Sequence, residues 1–404
     1  MKIANQNVLI SGASIAGPTL AFWLAKYGFN VTVVERSKAL RLGGQNLDVR
    51  NAGRTIAKMM GIEEEILAAN TGEIGLQFVN KKNEVEAAFP REGTNNFTSE
   101  AEILRGDLVN ILYKHTKDQV KYVFGKHITE IDQQKDKVNI TFSDGDTQVF
   151  DLLIAADGVR STTRQILFGD APKVKFTGLY NAWYTIPKAA TDTKWARWYT
   201  AAGSRVILIR PDNHGTSRAS FSFLSEDKGY QNLASSEQKE ILKRKLSGAG
   251  WEAERLMEEI DKNEDVYFDG ISQIHAPKWF NGRAGMIGDA AYCPTPLTGM
   301  GTTLAIVGAY LLAGELSRND QHEDAFKAYE KRMRPFVEKI QNLPPGVPWL
   351  AHPKTKFGVS VLNTVAGIIA SNAVKKITKL FSGKEKASPG DGIELPDFEK
   401  KPKN

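Results

Sequence analysis

The chain has 404 residues and a mass of 44.6 kDa, and its 41% hydrophobic and 25% charged residues exclude collagen, a coiled coil and a disordered chain. Lys+Arg 53 against Asp+Glu 47 gives +6, an excess too thin over this length to argue for nucleic acid, though it favours an anionic cofactor. The single Cys293 excludes an intrachain disulfide and a four-cysteine zinc site, and the six histidines show no metal-ligand spacing.

The opening MKIANQNVLISG lacks the charged-then-apolar pattern of a secretory leader, and no apolar run reaches the ~18 residues of a spanning helix. A cytoplasmic location is expected. Val8-Leu9-Ile10 then reads as a buried strand, Gly12 to Gly17 as a small-residue turn, Pro18 to Tyr27 as a helix and Val31 to Val34 as a second strand ending at Glu35. Strand, turn, helix, strand is the crossover that a parallel sheet requires. Helices are predicted over 54–69 and 101–116, and alternating strands over 120–150 with a hairpin turn at Asp144-Gly145. Leu152 to Ala156 is a fully apolar strand running into Asp157-Gly158.

From 175 to 275 short β-like runs surround a polar helical stretch at 236–260, which reads as a sheet-rich domain inserted into the first. Small residues and strand formers return at 284–292, followed by helices at about 300–317 and 323–341. Residues 342–381 hold a proline-rich linker and a basic amphipathic helix from about 355, with Val361, Leu362, Val365, Ile368 and Ile369 in one stripe. That stripe is expected to pack across the domain junction, and 382–404 to be disordered.

Gly12-Ala13-Ser14-Ile15-Ala16-Gly17 is a dinucleotide fingerprint with Ser14 at the middle glycine. Gly12 permits the tight turn, a small residue at 14 lets pyrophosphate approach, and Gly17 lets the helix pack on the strand. Glu35, at the end of the second strand, is placed for a pair of ribose hydroxyls. A second signal separates FAD from NAD: Gly288-Asp289 ends an apolar strand, and Pro296-Leu297-Thr298-Gly299-Met300-Gly301 leads into a helix. An acid there can hold a polyol chain, and the turn with the helix N-terminus can neutralise charge on a flavin ring.

With Asp157-Gly158 between them, these motifs resemble, over residues 5 to 340, the class A FAD-dependent aromatic monooxygenases typified by para-hydroxybenzoate hydroxylase. Gly43 to Arg50, Glu102 to Leu112 and Ile287 to Leu316 further resemble the tetracycline destructases. The resemblance implies an α/β fold: an FAD-binding Rossmann-like domain (1–174 and 276–341), an inserted β-sheet substrate domain (175–275), a C-terminal bridging helix (342–381) and the tail (382–404). It implies Glu35 at the adenosine ribose, Arg36 beside the adenine, Arg105 at the flavin, Asp157 in the middle motif, Asp289 on the ribityl chain and Asp48 among the other cofactor contacts. The flavin would carry the chemistry, with NAD(P)H as a transient co-substrate, O2, and a polycyclic phenolic or enolic substrate, a tetracycline-like antibiotic among the candidates. Trp183, Arg205 and Phe221 would wall the substrate site opposite Leu297 and Thr298. No catalytic side chain, metal, nucleic-acid partner or membrane contact is expected, and the chain is expected to be a monomer. The other reading is an FAD-binding reductase or a non-catalytic, ligand-sequestering flavoprotein.

Overall fold

A computed structural model describes residues 5–92, 99–342, 344, 346–371 and 392–400. Its first sheet has six strands in the order 280–281, 284–286, 152–155, 7–11, 30–35, 121–124. The strand Asn7–Ser11 pairs in parallel with both neighbours, Leu9 opposite Thr32 on one side and Leu153 on the other, and Ala284–Met286 continues the parallel order. Parallel register sends Gly12, Glu35, Asp157 and Gly288 to one carboxyl edge, where open α/β sheets bind ligands. Both faces are covered at the centre of the sheet, which is why Val8–Ile10, Val33–Val34 and Leu152–Ala155 are continuous apolar runs. Val8, Ile10 and Ile154 meet helices Ala16–Lys26 and Gly301–Arg318, while Leu9, Leu153 and Val34 meet the three-stranded sheet of 128–150. Every residue from Thr302 to Leu316 is buried, so Gly301–Arg318 is the spine of this half.

The second sheet has seven strands in the order 267–275, 173–187, 216–224, 205–211, 196–201, 75–79, 85–90. It extends beyond the inserted segment, because Gly75–Val79 pairs in parallel with Ala196–Ala201 and brings Val85–Pro90 with it. The polar stretch at 236–260 is two helices, Ser235–Leu246 and Ala253–Lys262, separated at Gly248 and Gly250, both with positive φ. Leu242, Leu246, Leu256 and Ile260 cover one sheet face with Tyr184, Ile207, Phe221 and Phe223. The other face alternates with it: Asn181, Trp183, Trp198, Leu208 and Ser220 are half-buried while their neighbours are fully buried.

The two halves are joined by an ionic cluster. Arg210, at the end of a sheet strand, donates to Glu73 through Nε (2.7 Å) and Nη2 (2.8 Å) and to Glu102 through Nη2. Thr71 and Asn46 also donate to Glu102, and Asn46 reaches the Pro211 carbonyl. Burial pushes the Glu102 carboxyl up to about 7; Arg210 opposes that shift, while Glu73 and Asp48 add to it.

The C-terminal arm differs from its expected packing. Helix Lys356–Ala370 meets the strands Val85–Pro90 and Ala196–Ala201 through small residues: Ala366 is buried with Ala87 and Phe89, and Asn363 bonds Glu86. Val361, Val365, Ile368 and Ile369 are exposed instead, because only the small-residue side permits so close an approach. Residues 372–381 of the expected helix lie outside the described residues. Nor is the whole tail disordered: Phe398 is buried on Gly314, Tyr310 and Arg318, and the Tyr310 hydroxyl donates to the Pro396 carbonyl at 2.5 Å.

His352 fastens the arm to the sheet. Its Nδ1–H donates to the Pro348 carbonyl (2.8 Å), so its Nε2 accepts the Ser222 hydroxyl proton (2.7 Å). Burial lowers its pKa from 6.5 to about 4. A released arm would take up a proton near 6.5 and the docked arm only near 4, so docking is complete above 6.5 and weakens as pH falls towards 4. The expected loss is up to about 3 kcal/mol. Limited proteolysis of the arm against pH should show this, and His352→Gln should remove the pH dependence; an arm equally protected from pH 7 to pH 4 would contradict it.

Candidate functional site

The glycine turn is compressed where the fingerprint demands it. Gly12 has φ +109°, and a Cβ there would lie 2.5 Å from the Ala156 carbonyl oxygen; at Gly17 it would lie 1.9 Å from the Gly12 oxygen. Beyond Ala13, Ser14 and Ile15, helix Ala16–Lys26 starts without a side-chain cap or an acid in its first turn. Its first N–H groups are therefore available to an anion. Glu35 stands beside this turn and accepts Ala13 N–H at 2.9 Å and Ser37 N–H at 3.0 Å. Arg36 is exposed just past it.

The late motif abuts the same turn. Gly288 has φ +60°, and a Cβ there would lie 2.9 Å from the Cβ of Ala16. Asp289 is exposed although protein crowds around it, and that crowding raises its carboxyl above the ordinary range while the Cys293 thiol acts the other way. Cys293 itself is buried and pushed well up, so it remains a thiol.

The proline turn follows. Pro296 and Gly299 are exposed, Leu297, Thr298 and Gly301 half-buried and Met300 buried; a Cβ on Gly299 or Gly301 would enter open space. Helix Gly301–Arg318 also starts without a side-chain cap or a first-turn acid. Before it, Thr295 holds φ +86°, a costly conformation for a β-branched residue, and its buried Oγ1 has no partner.

Arg105 opens its helix and spans the cleft wall, donating to Ser14 Oγ (3.2 Å), the Arg41 carbonyl (2.6 Å) and the Gly43 carbonyl (2.5 Å). Burial, with Arg41 nearby, lowers its pKa to about 10, so it stays charged at neutral pH. Asp48 accepts Arg50 Nη2 at 2.8 Å and Ser99 N–H at 3.1 Å, and Thr303 donates to the Arg50 carbonyl, which ties this segment to the spine helix. Asp157 is occupied: it accepts from Ser161, from Thr163 N–H (3.2 Å) and from Thr163 Oγ1 (2.9 Å), so it shapes the turn before helix Thr162–Phe168.

The substrate wall divides by strand parity. Trp183 lies on the half-buried face, 5.8 Å centroid to centroid from Tyr267. Phe221 sits on the opposite face, fully buried under the two helices. Arg205 shares that face and donates to the Lys245 and Ser247 carbonyls at the end of helix Ser235–Leu246. Neither lines the cleft, contrary to expectation. Sequence reasoning missed Thr295, whose φ carries no residue signature, and Tyr267, whose hydroxyl donates to Asp269 at 2.8 Å while Asp269 pairs with Arg160. Among the described residues no group of three metal-ligating side chains occurs.

Two uncapped helix starts, open space at Gly299 and Gly301, a charged arginine, an orphaned hydroxyl and an open carboxylate suit a diphosphate, a polyol and a polar ring together. The fit is to FAD. Residues 5–343 match the family described as "FAD binding domain". A flavin-dependent monooxygenase of Phoma sp is 36% identical over 427 residues, covering 97% of each chain. One from Legionella longbeachae is 35% identical over 407 residues, covering 98% of this chain and 99% of that protein. The solved structure of tetracycline destructase Tet(51) superposes with a TM-score of 0.82 at 29% identity, over 97% of this chain and all of that one.

Proposed function

The chain belongs to the FAD binding domain family, and from that premise we propose that this FAD-dependent monooxygenase hydroxylates a polycyclic phenolic or enolic compound. NAD(P)H is the visiting reductant: its two electrons leave with one oxygen atom as water, and the other oxygen enters the product. FAD, when bound, supplies the activation of dioxygen; the chain supplies position, charge and exclusion of water. In this reading the half built on the six-stranded sheet holds the cofactor, and the seven-stranded sheet, with Gly75–Val79 and Val85–Pro90 included, holds the substrate. Arg105 and the two helix starts face the anionic parts of the cofactor, and Asp289 and Glu35 hold its hydroxyls.

The alternation of the second sheet carries the substrate proposal. One face is closed by helices, and the other leaves Trp183, Trp198, Leu208, Asn181 and Ser220 half-buried. Large flat apolar groups with a few hydrogen-bonding partners suit a fused-ring substrate with phenol or enol oxygens. The destructase name of the Tet(51) relative supports placing tetracyclines among the compounds to try. The test is purified holoprotein with NADH or NADPH and a panel of tetracyclines, anthraquinones and simple phenols, read by mass spectrometry. A product heavier by one oxygen from a fused-ring member is expected. Hydroxylation confined to single-ring phenols would overturn the reading.

Glu35→Ala should weaken FAD binding by about 1.5–3 kcal/mol, the range for hydrogen bonds to a charged group. Titration of apoprotein with FAD measures it, and an unchanged dissociation constant would place the ribose elsewhere.

A further inference from the structure

Helix Lys356–Ala370 carries its polarity the wrong way round for an ordinary surface helix. The side against the protein is small and partly polar, with Asn363, Ala366 and Gly367 on the strand Val85–Pro90. The side facing away holds Phe357 (79% exposed), Val361, Val365, Ile368 (56%) and Ile369. At 100° per residue these five fall within an arc of about 120°. Five large apolar side chains on one helix face are more than the scattered exposure that soluble surfaces tolerate. The His352 clasp and the pairing of Gly203 N–H with the Lys354 carbonyl (2.8 Å) fix the arm in this orientation.

The charge of the region says what kind of surface would cover it. Between Glu338 and Glu385 the sequence has no acidic residue, and it holds Lys339, Lys354, Lys356, Lys375, Lys376, Lys379 and Lys384. Lys354 and Lys356 are exposed at the start of the apolar arc. A second copy brought onto this face would bring the exposed Lys354 and Lys356 of both copies together. No helix among the described residues is long and apolar enough to cross a membrane, so the arrangement is that of a helix lying in an interface.

We propose that helix Lys356–Ala370 docks flat on an anionic lipid surface, the apolar arc entering the acyl boundary and Lys354 and Lys356 meeting lipid headgroups. For this face the proposal departs from the expectation of no membrane contact. The proposal does not depend on the substrate reading, because vesicle binding and hydroxylation are measured separately.

The experiment is co-sedimentation of full-length, FAD-loaded protein with phosphatidylcholine vesicles, with and without about one-third phosphatidylserine. Binding should be about tenfold stronger to the anionic vesicles and should fall in high salt. Phe357→Ser with Ile368→Ser should cut it about tenfold or more while FAD content and thermal midpoint stay unchanged, since both side chains face away from the protein. Lys354→Glu with Lys356→Glu should weaken binding to anionic vesicles only. Three results would overturn the proposal. One is protein left in the supernatant with both vesicle types. Another is undiminished pelleting of the Phe357/Ile368 variant. The third is no vesicle binding together with a concentration-dependent dimer that this variant abolishes, which would make the face a contact between copies.

Discussion

Asp289→Ala should leave the protein folded and nearly colourless. Its side chain is exposed yet crowded enough that its pKa is raised, so without a ligand it opposes folding at neutral pH. Alanine relieves that opposition, and the apoprotein should melt at the same temperature or slightly above. With FAD the sign reverses. Each hydrogen bond from a hydroxyl to the carboxylate contributes about 1.5–3 kcal/mol, so losing one should weaken FAD binding about 10- to 150-fold. Flavin absorbance after gel filtration, set against the apoprotein's melting curve, separates the two effects. Full occupancy at low protein concentration would remove Asp289 from the cofactor's contacts.

Arg210→Ala should be the most damaging single change to stability. It takes the Arg210 cation from Glu102, whose side chain is 1% exposed, and leaves that carboxylate to the neutral donors Thr71 and Asn46 at the junction of the two halves. Removing one partner of a buried ion pair typically costs about 3–5 kcal/mol because the remaining charge stays in a poor medium. The sign with pH follows from Glu102. Its folded pKa lies above the unfolded value, so the folded state loses stability as pH rises from the ordinary carboxylate range through about 7. Without Arg210 that pKa rises further, so the Arg210→Ala variant should lose more stability as pH rises and recover part of it towards the ordinary carboxylate range. Adding Glu102→Gln should restore much of the stability at neutral pH. Urea midpoints at pH 5.5 and 8 test this; equal losses at both, unrelieved by Glu102→Gln, would show that the cluster is not the cause.

The carboxyl edge of the first sheet was readable because each motif is local. Gly12 to Gly17, Asp157-Gly158 and Gly288-Asp289 each sit at the end of an apolar strand, and parallel pairing of such strands leaves little choice about where they meet. The second sheet was only half readable. Gly75–Val79 pairs in parallel with a strand more than a hundred residues later, and nothing near Leu76 announces Ala196 as its partner. Phe221 and Arg205 failed for a related reason. Alternation groups Phe221 with Ala219 and Phe223, but which face meets the cleft depends on where helices Ser235–Leu246 and Ala253–Lys262 come to rest. The C-terminal stripe had the right period and the opposite orientation, since periodicity finds an apolar face without saying what it meets. Asp157 shows a further limit: its motif is present, yet both its oxygens are engaged by the turn that follows it.

The returning tail has a practical side. Phe398 lies where a Cβ on Gly314 would collide with its ring at 2.2 Å, and Tyr310, which holds the Pro396 carbonyl, packs its ring on Trp23 at 4.8 Å. Trp23 belongs to the helix that begins at the glycine turn. A purification handle or an immobilisation linker attached beyond Phe398 thus pulls on a wedge two side chains removed from the helix that follows the glycine turn. Trimming by a carboxypeptidase past Phe398 would empty that wedge and leave Gly314 facing a void. For assays of flavin content, a tag on the amino end keeps the wedge seated.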